Sequence, residues 1–439
     1  MKKYNFLYIL LLFAVLIGDS GCTKEFNNPN SPQKESVLTT TDGLLGFAVG
    51  IRREYTAGQT GAYYNAVTAS GLSAKELYVI NTGNGELAAL EAGGATVGRV
   101  NAFVGNIWTS SNLTRYYADE LIQNADVARE PVGLNNTIKA YGQLFKAIGI
   151  ATNATFFEQV TTEYISTKDY LQNNKRASFK PRIDALKEAI ALLEDAEKNW
   201  NGATAAQAAF TSKVGTNIDL KSTIPALIAR YALMVGDYQK AIDASNRVDA
   251  KSKSTFNYEA ISINPVQQAL ATNNTYGGKP SFGLEGTLLP EKADTFRLKF
   301  YLGSTAVSKV SGFFTKVDSS IPVYLPSEMD LIRAECYARL DKLTEAVTAL
   351  NVVVTKTADP FSITAKLPAF ASTDKAAILE KIYQNRCIEL YMSGMKLEDS
   401  RRFGRTAPGA TGAERSRNFY PYPQSERDNN TNTPADPSI

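Results

Sequence analysis

The chain has 439 residues, 44% hydrophobic and 10% aromatic, a composition that can bury a sizeable core and excludes a disordered chain. The formal net charge is +3 and the charges are interspersed, so no basic stripe tracks a phosphate backbone and nucleic acid is not an expected partner. Histidine is absent altogether, which removes the commonest general base, the Ser–His and Cys–His nucleophile pairs and nearly every catalytic zinc site, while a carboxylate-pair glycosidase survives the test.

Lys2 and Lys3 precede an apolar run from Tyr4 to Ile17. That run has the length of a signal-peptide core and falls short of the ~20 residues a spanning helix needs. It ends in Gly18-Asp19-Ser20-Gly21-Cys22, where small residues before a cysteine resemble a bacterial lipobox. Residues 1–21 are therefore expected to be a signal peptide and Cys22 the lipid attachment site. Asp19 departs from the lipobox pattern, where a Leu is usual. Several acyl chains on one residue anchor stably, whereas a single chain binds only marginally. Residues 22–36 continue as a polar, Pro- and Asn-rich stretch, which reads as a flexible tether. Residues 37–439 are expected to form one domain.

Residues 72–106 are rich in Gly, Asn, Thr and Ser and read as a long irregular region. Loops of that length inside a domain are usually functional. Tyr141 to Phe157 has apolar residues at helical spacing. Pro181 opens another helix, with Ile183, Leu186, Ile190 and Leu193 on one face and Trp200 at its end as a packing residue. Ala229–Ala241 reads as a helix, a Gly236-Asp237 turn and the start of a second helix, and Ala334–Ala346 repeats that layout. Ala229 aligns with Ala334, Tyr238 with Leu343, Ala241 with Ala346 and Val248 with Val353. These pairs look like tetratricopeptide units, which stack to share a core. Lys139–Val160 and Arg182–Trp200 are weaker candidates for the same unit. Residues 251–323 form a second long irregular region, and Arg427–Ile439 a loosely held tail. Cys336 and Cys387 sit on helices among apolar residues and are expected as buried free thiols, with a disulfide between them left open. The fold class is mostly α: a tetratricopeptide-like helical-repeat scaffold with long irregular loops and few short strands.

The C-terminal third carries a family resemblance. An amphipathic helix contains Arg386, Glu389 and Leu390 and ends at Gly394. Lys396, Asp399, Arg402 and Gly404 follow, then Tyr420, Pro421, Pro423 and Glu426. This pattern resembles the SusD/RagB family. Upstream, Glu328, Leu331, Ala334 and Glu335 resemble the family's second marked helix, and Asp294-Thr-Phe-Arg297 resembles its Asp-Pro-Arg segment. Asn385, Cys387, Ser393 and Leu325 depart from the usual residues and mark a divergent member. The shared charged residues read as structural: Arg386 and Glu389 are placed to pair on one helix face, and Asp399 and Arg402 to tie the next segment down.

The resemblance implies a non-enzymatic, lipid-anchored protein on the outside of the outer membrane. Such a protein binds an oligosaccharide, or in some relatives a peptide, and delivers it to a SusC-like TonB-dependent transporter. No cofactor or metal is implied. The alternatives are an envelope tetratricopeptide scaffold that binds only proteins, and a carboxylate-pair glycoside hydrolase. With 22 Tyr, 20 Phe and two Trp, rings for sugar stacking are available. Trp108 follows the 72–106 region, where the family's ligand site falls. Glu76, Tyr78, Asn81, Arg99 and Asn112 nearby are the candidate polar contacts, with Tyr276, Phe282 and Tyr301 as the next candidates.

Overall fold

The computed structural model describes residues 37–303 and 310–439. The expected signal peptide, Cys22 and tether lie outside the described residues. Among the described residues the fold is mostly helical, 56% of them in helical conformation, with 17 α-helices and a few short strands.

The helices in chain order are α1 Thr41–Thr56, α2 Ala62–Ser73, α3 Gly85–Ala92, α4 Ala102–Asn124, α5 Leu134–Phe156, α6 Thr167–Gln172, α7 Arg182–Trp200, α8 Thr204–Val214 and α9 Leu220–Val235. They continue as α10 Tyr238–Ser245, α11 Pro265–Gln267, α12 Thr295–Tyr301, α13 Pro326–Arg339, α14 Leu343–Val354, α15 Lys375–Glu389, α16 Lys396–Arg402 and α17 Gln424–Asn429. Three antiparallel two-stranded ribbons join distant segments: β1 Leu77–Val79 with β5 Tyr276–Gly278, β2 Gln159–Thr161 with β3 Phe179–Pro181, and β4 Thr255–Phe256 with β6 Ile321–Pro322.

The helical repeat forms as the spacing predicts. Gly236, at φ 81°, ends α9 in the left-handed conformation. The Asp237 N–H reaches back to the Ala232 carbonyl at 2.9 Å, which satisfies a carbonyl the helix end leaves open. The Asp237 side chain then caps α10 by accepting from the Lys240 N–H at 3.2 Å. The second unit makes the same turn with other residues. Asp341, at φ 60°, takes the place of Gly236, and the Lys342 N–H bonds the Tyr337 carbonyl at 2.9 Å. Ala229, Ala241, Ala334 and Ala346 are all fully buried. Their small side chains let the paired helices pack closely. Val248 lies beyond the end of α10.

The helices pack in succession, α4 on α5, α5 on α7, α7 on α9, α9 on α10, α10 on α13, and α13 on both α14 and α15. The α4–α5 crossing is close: a Cβ on Gly149 would lie 2.6 Å from the Ser111 carbonyl oxygen. Trp200 closes α7 in a buried position with its ring edge-on to Phe210, as a packing residue would. Cys336 and Cys387 are buried free thiols, and burial raises both pKa values, that of Cys387 to about 12.

Three expectations need correction. Residues 72–106 are not one irregular region: they hold β1 and α3, the latter capped by Asn84, whose side chain accepts from the Leu87 N–H. Residues 251–323 likewise hold β4, β5, α11, α12 and β6. The tail is pinned rather than loose, because Asp436 takes Arg99 and Arg427 at 2.6 Å each and the Tyr422 N–H at 3.1 Å.

Candidate functional site

The charged residues of the C-terminal pattern form a buried network. Arg386 grips Asp399 with two bonds of 2.9 and 3.0 Å. Arg402 grips Glu335 at 2.8 and 2.9 Å and Asp399 at 2.7 Å. Glu389 does not pair with Arg386, contrary to the helical spacing. It accepts from Ser327 at 2.6 Å and from Arg297 at 3.4 Å, and also from Lys356. Arg297 in turn is held by Asp294 at 2.5 Å. Burial alone would raise the carboxylates of Glu335, Glu389 and Asp399, yet the surrounding cations hold all three below their ordinary values. Together these contacts staple five segments, α12, α13, α15, α16 and the stretch around Lys356, and leave none of these carboxylates open to a substrate.

Trp108 is buried, at 3% exposure. Its indole stacks on Phe179 at 5.7 Å and meets Phe157 and Tyr422 edge-on at 4.9 and 5.9 Å. Its ring N–H donates to Glu426 at 2.9 Å. The ring is enclosed by side chains from three other segments and is not presented for stacking a ligand, which corrects the expectation for this residue. Asn112, one turn on, is half-buried and accepts from Arg115 at 3.3 Å and Thr161 at 3.5 Å. Arg99 is exposed but committed to Asp436. Arg99 and Trp108 thus serve the 420–436 segment.

Glu76, Tyr78 and Asn81 lie along a different element, the β1–β5 ribbon. Tyr78 pairs with Gly277 across the ribbon. A Cβ on Gly277 would sit 2.8 Å from the Tyr78 Oη, so the missing side chain is what lets the half-exposed ring lie over the strand. Asn81 is exposed. Its backbone N–H bonds Thr275 at 3.1 Å, and its side chain accepts from the Gly83 N–H at 3.1 Å. Thr82, Gly83, Thr272 and Asn273 complete an exposed polar rim.

Glu76 faces inward at the root of β1. Its carbonyl accepts from the Lys279 N–H at 2.8 Å. Its carboxyl is buried, and neither oxygen has a partner at hydrogen-bond geometry. Desolvation pushes its pKa up to about 7, against the pull of the Lys396 charge and the Met392 amide. Of the reserve candidates, Tyr276, Phe282 and Tyr301 are all buried. Tyr276 bonds Thr68 at 3.1 Å, Phe282 packs on Tyr391 at 4.5 Å, and Tyr301 donates to the Glu389 carbonyl at 2.5 Å.

Sequence reasoning missed Gly277. The available signal was a pair of glycines following Tyr276, a place where another backbone or ring approaches closely. The ribbon face offers a flat ring for C–H faces and amides for hydroxyls, which is a binding chemistry. Among the described residues no group of three or more acidic or thiol side chains is placed to hold a metal ion. No described helix is long and apolar enough to cross a membrane.

No family model matches the chain, and no curated protein matches it by sequence. Solved structures match over nearly the whole length. A SusD superfamily protein from Bacteroides fragilis has a TM-score of 0.69 at 15% identity, covering 90% of this chain and 99% of that one. A SusD superfamily protein from Bacteroides thetaiotaomicron has a TM-score of 0.68 at 17% identity, covering 91% of this chain and 100% of that one. A SusD-like carbohydrate binding protein from Bacteroides fragilis has a TM-score of 0.63 at 14% identity, covering 90% of this chain and 99% of that one. The architecture is a helical-repeat scaffold with ribbon-tied loops. More narrowly, it is the SusD-like fold.

Proposed function

We propose that the protein binds a saccharide on the β1–β5 ribbon face, without catalysis, and delivers it to a TonB-dependent transporter of the outer membrane. The observation that carries this reading is the likeness in fold, over 90% of the chain, to a SusD-like carbohydrate binding protein. The ribbon chemistry supports it locally: Tyr78 supplies the ring, and Asn81 with Thr82 and Asn273 supplies polar groups at an exposed rim. Cys22 would carry the lipid that holds the protein at the cell surface.

Binding is tested by presenting the purified protein with an array of oligosaccharides and of peptides. Retention of a defined oligosaccharide class, unchanged after long incubation, is the expected result. Retention of peptides alone, or cleavage of a bound sugar, would sink the reading. Anchoring is tested with Cys22→Ala, which should move the protein out of the membrane fraction. Delivery predicts that an outer-membrane transporter co-purifies with the anchored protein.

A further inference from the structure

Glu76 stands at the root of the ribbon, and its backbone and side chain are in opposite situations. Its carbonyl accepts from the Lys279 N–H at 2.8 Å, and the Phe282 N–H bonds back to the Lys279 carbonyl at 3.0 Å. Lys279 directly follows Gly277 and Gly278, so the 279–283 turn carries the end of β5 over which the Tyr78 ring lies. The Glu76 carboxyl, by contrast, is buried with both oxygens unpartnered. Buried polar groups are nearly always hydrogen-bonded, and a buried carboxylate ion needs partners most of all. The ionisable groups acting on Glu76 are Lys396 and Asp399 of α16, Cys387 of α15 and Tyr391 of the turn that follows. Asp399 is already held by Arg386 and Arg402. Among these charges that of Lys396 acts most strongly on Glu76.

Lys396 is committed elsewhere. Its side chain is buried and its ammonium donates to the Phe282 carbonyl. The ammonium lies so close to Gly283 that a Cβ there would overlap it. Phe282 and Gly283 both have left-handed backbones, at φ 55° and 69°. For Phe that conformation is strained and persists only where the surroundings hold it. Here the holders are the Lys396 ammonium, the Lys279 carbonyl and the Tyr391 ring, 4.5 Å from the Phe282 ring. One ammonium thus serves a strained turn while an unpartnered carboxyl lies within its field.

We propose that Glu76 and Lys396 are positioning residues of the ribbon face and make its grip on a saccharide depend on one proton. With Glu76 neutral, Lys396 holds Phe282 and the Tyr78 ring keeps its seat. When Glu76 gives its proton to solvent, Lys396 turns to the carboxylate, the 279–283 turn relaxes and the saccharide is released. This deepens, and rests on, the saccharide reading of the ribbon. The switch works near neutrality, because desolvation lifts the Glu76 carboxyl to about 7. The chain has no histidine to titrate there, and burial pushes both thiols up and away from that range.

The test compares the wild-type protein with Glu76→Gln, which stays neutral, at pH 6 and pH 8.5. With no saccharide present, hydrogen exchange reads the Lys279 and Phe282 amides, each corrected for its intrinsic rate at that pH. Their protection should fall about tenfold in the wild type as pH rises and stay constant in Glu76→Gln. Lys396→Met should leave both amides poorly protected at both pH values; the Glu76→Gln comparison stands even if that variant folds poorly. Calorimetry then reads the binding of cellohexaose, xylohexaose and the oligosaccharide that the array retains best. Wild-type affinity should fall about fivefold to tenfold between pH 6 and pH 8.5, the worth of one stacked ring, with proton uptake on binding near neutrality. Glu76→Gln should bind at both pH values as the wild type does at pH 6. Equal wild-type affinity and protection at the two pH values, or a Glu76→Gln profile that follows the wild type, overturns the switch and leaves the saccharide reading standing. Amides that loosen with pH while no oligosaccharide is retained at either pH overturn the saccharide reading, and with it the release step.

Discussion

The C-terminal network and the β1–β5 ribbon are both built around buried carboxylates, and they treat them in opposite ways. Asp399, Glu335 and Glu389 each have at least two cationic or hydroxyl partners. Glu76 has none at hydrogen-bond geometry. Neighbouring cations therefore hold the first group below their ordinary pKa values, while desolvation lifts Glu76 to about 7. The difference separates a staple from a soft place. A buried charge with fixed partners resists change over a wide pH range, whereas one without them titrates near neutrality.

The largest effect should come from breaking the staple. Arg386→Met leaves Asp399 buried with only Arg402, and removing one partner of a buried pair costs about 3–5 kcal/mol. Denaturant unfolding should show that loss, and Arg386→Lys should recover only part of it, because an ammonium cannot make the forked contact. A loss below about 1 kcal/mol for the Met variant would mean that the network is not holding the fold. Trp108→Ala should follow closely, at roughly 3–5 kcal/mol, since the ring fills a buried box. Saccharide binding by whatever fraction stays folded should be unchanged. Lost binding with intact stability would restore Trp108 as a ligand contact.

Much of the scaffold was legible in the sequence, for physical reasons. Helices α7, α10 and α14 each bury one face, so their apolar residues recur at helical spacing. Helix α2 escaped because all 12 of its residues are buried, which erases any contrast between faces. The network was half legible. Asp399 and Arg402 do meet at three-residue spacing, but Arg386 turns to Asp399 and Glu389 to Arg297, partners on other elements. Trp108 was misread for the same reason. Its enclosure by Phe157, Phe179 and Tyr422 is a long-range fact, and a lone Trp after a loop carries no mark of it.

The soft place gives a pH prediction with a definite sign. The folded pKa of Glu76, about 7, stands above its ordinary value of 4.5. The folded state thus holds the proton more tightly than the unfolded state. Its contribution is full below the unfolded pKa and is lost as pH rises toward the folded one. Between those limits the wild-type protein should lose on the order of 3 kcal/mol relative to Glu76→Gln, which stays neutral throughout. Comparing the two proteins at pH 4.5 and pH 8 cancels the opposite trend from the network carboxylates. If the difference does not change with pH, Glu76 has a partner in solution and the contrast drawn above fails.

The smallest effect on stability, and the sharpest for function, belongs to Tyr78. Its ring is half-exposed and lies on a strand rather than in a core, so Tyr78→Ala should cost only about 1 kcal/mol of stability. Stacking a sugar face on that ring contributes on the order of 1 kcal/mol beyond area burial. Binding should then fall about tenfold, the equivalent of ~1.4 kcal/mol. Gly277→Ala tests the geometry without deleting the ring. Gly277 is not among the residues with positive φ, so alanine suits its backbone. The added Cβ, however, would sit 2.8 Å from the Tyr78 Oη and must displace the ring. It should weaken binding in the same direction by a smaller factor, with the fold intact. If both variants bind as the wild type does, the ribbon is not the saccharide face, whatever the fold implies. If only Tyr78→Ala fails, the ring matters but its seat on Gly277 does not.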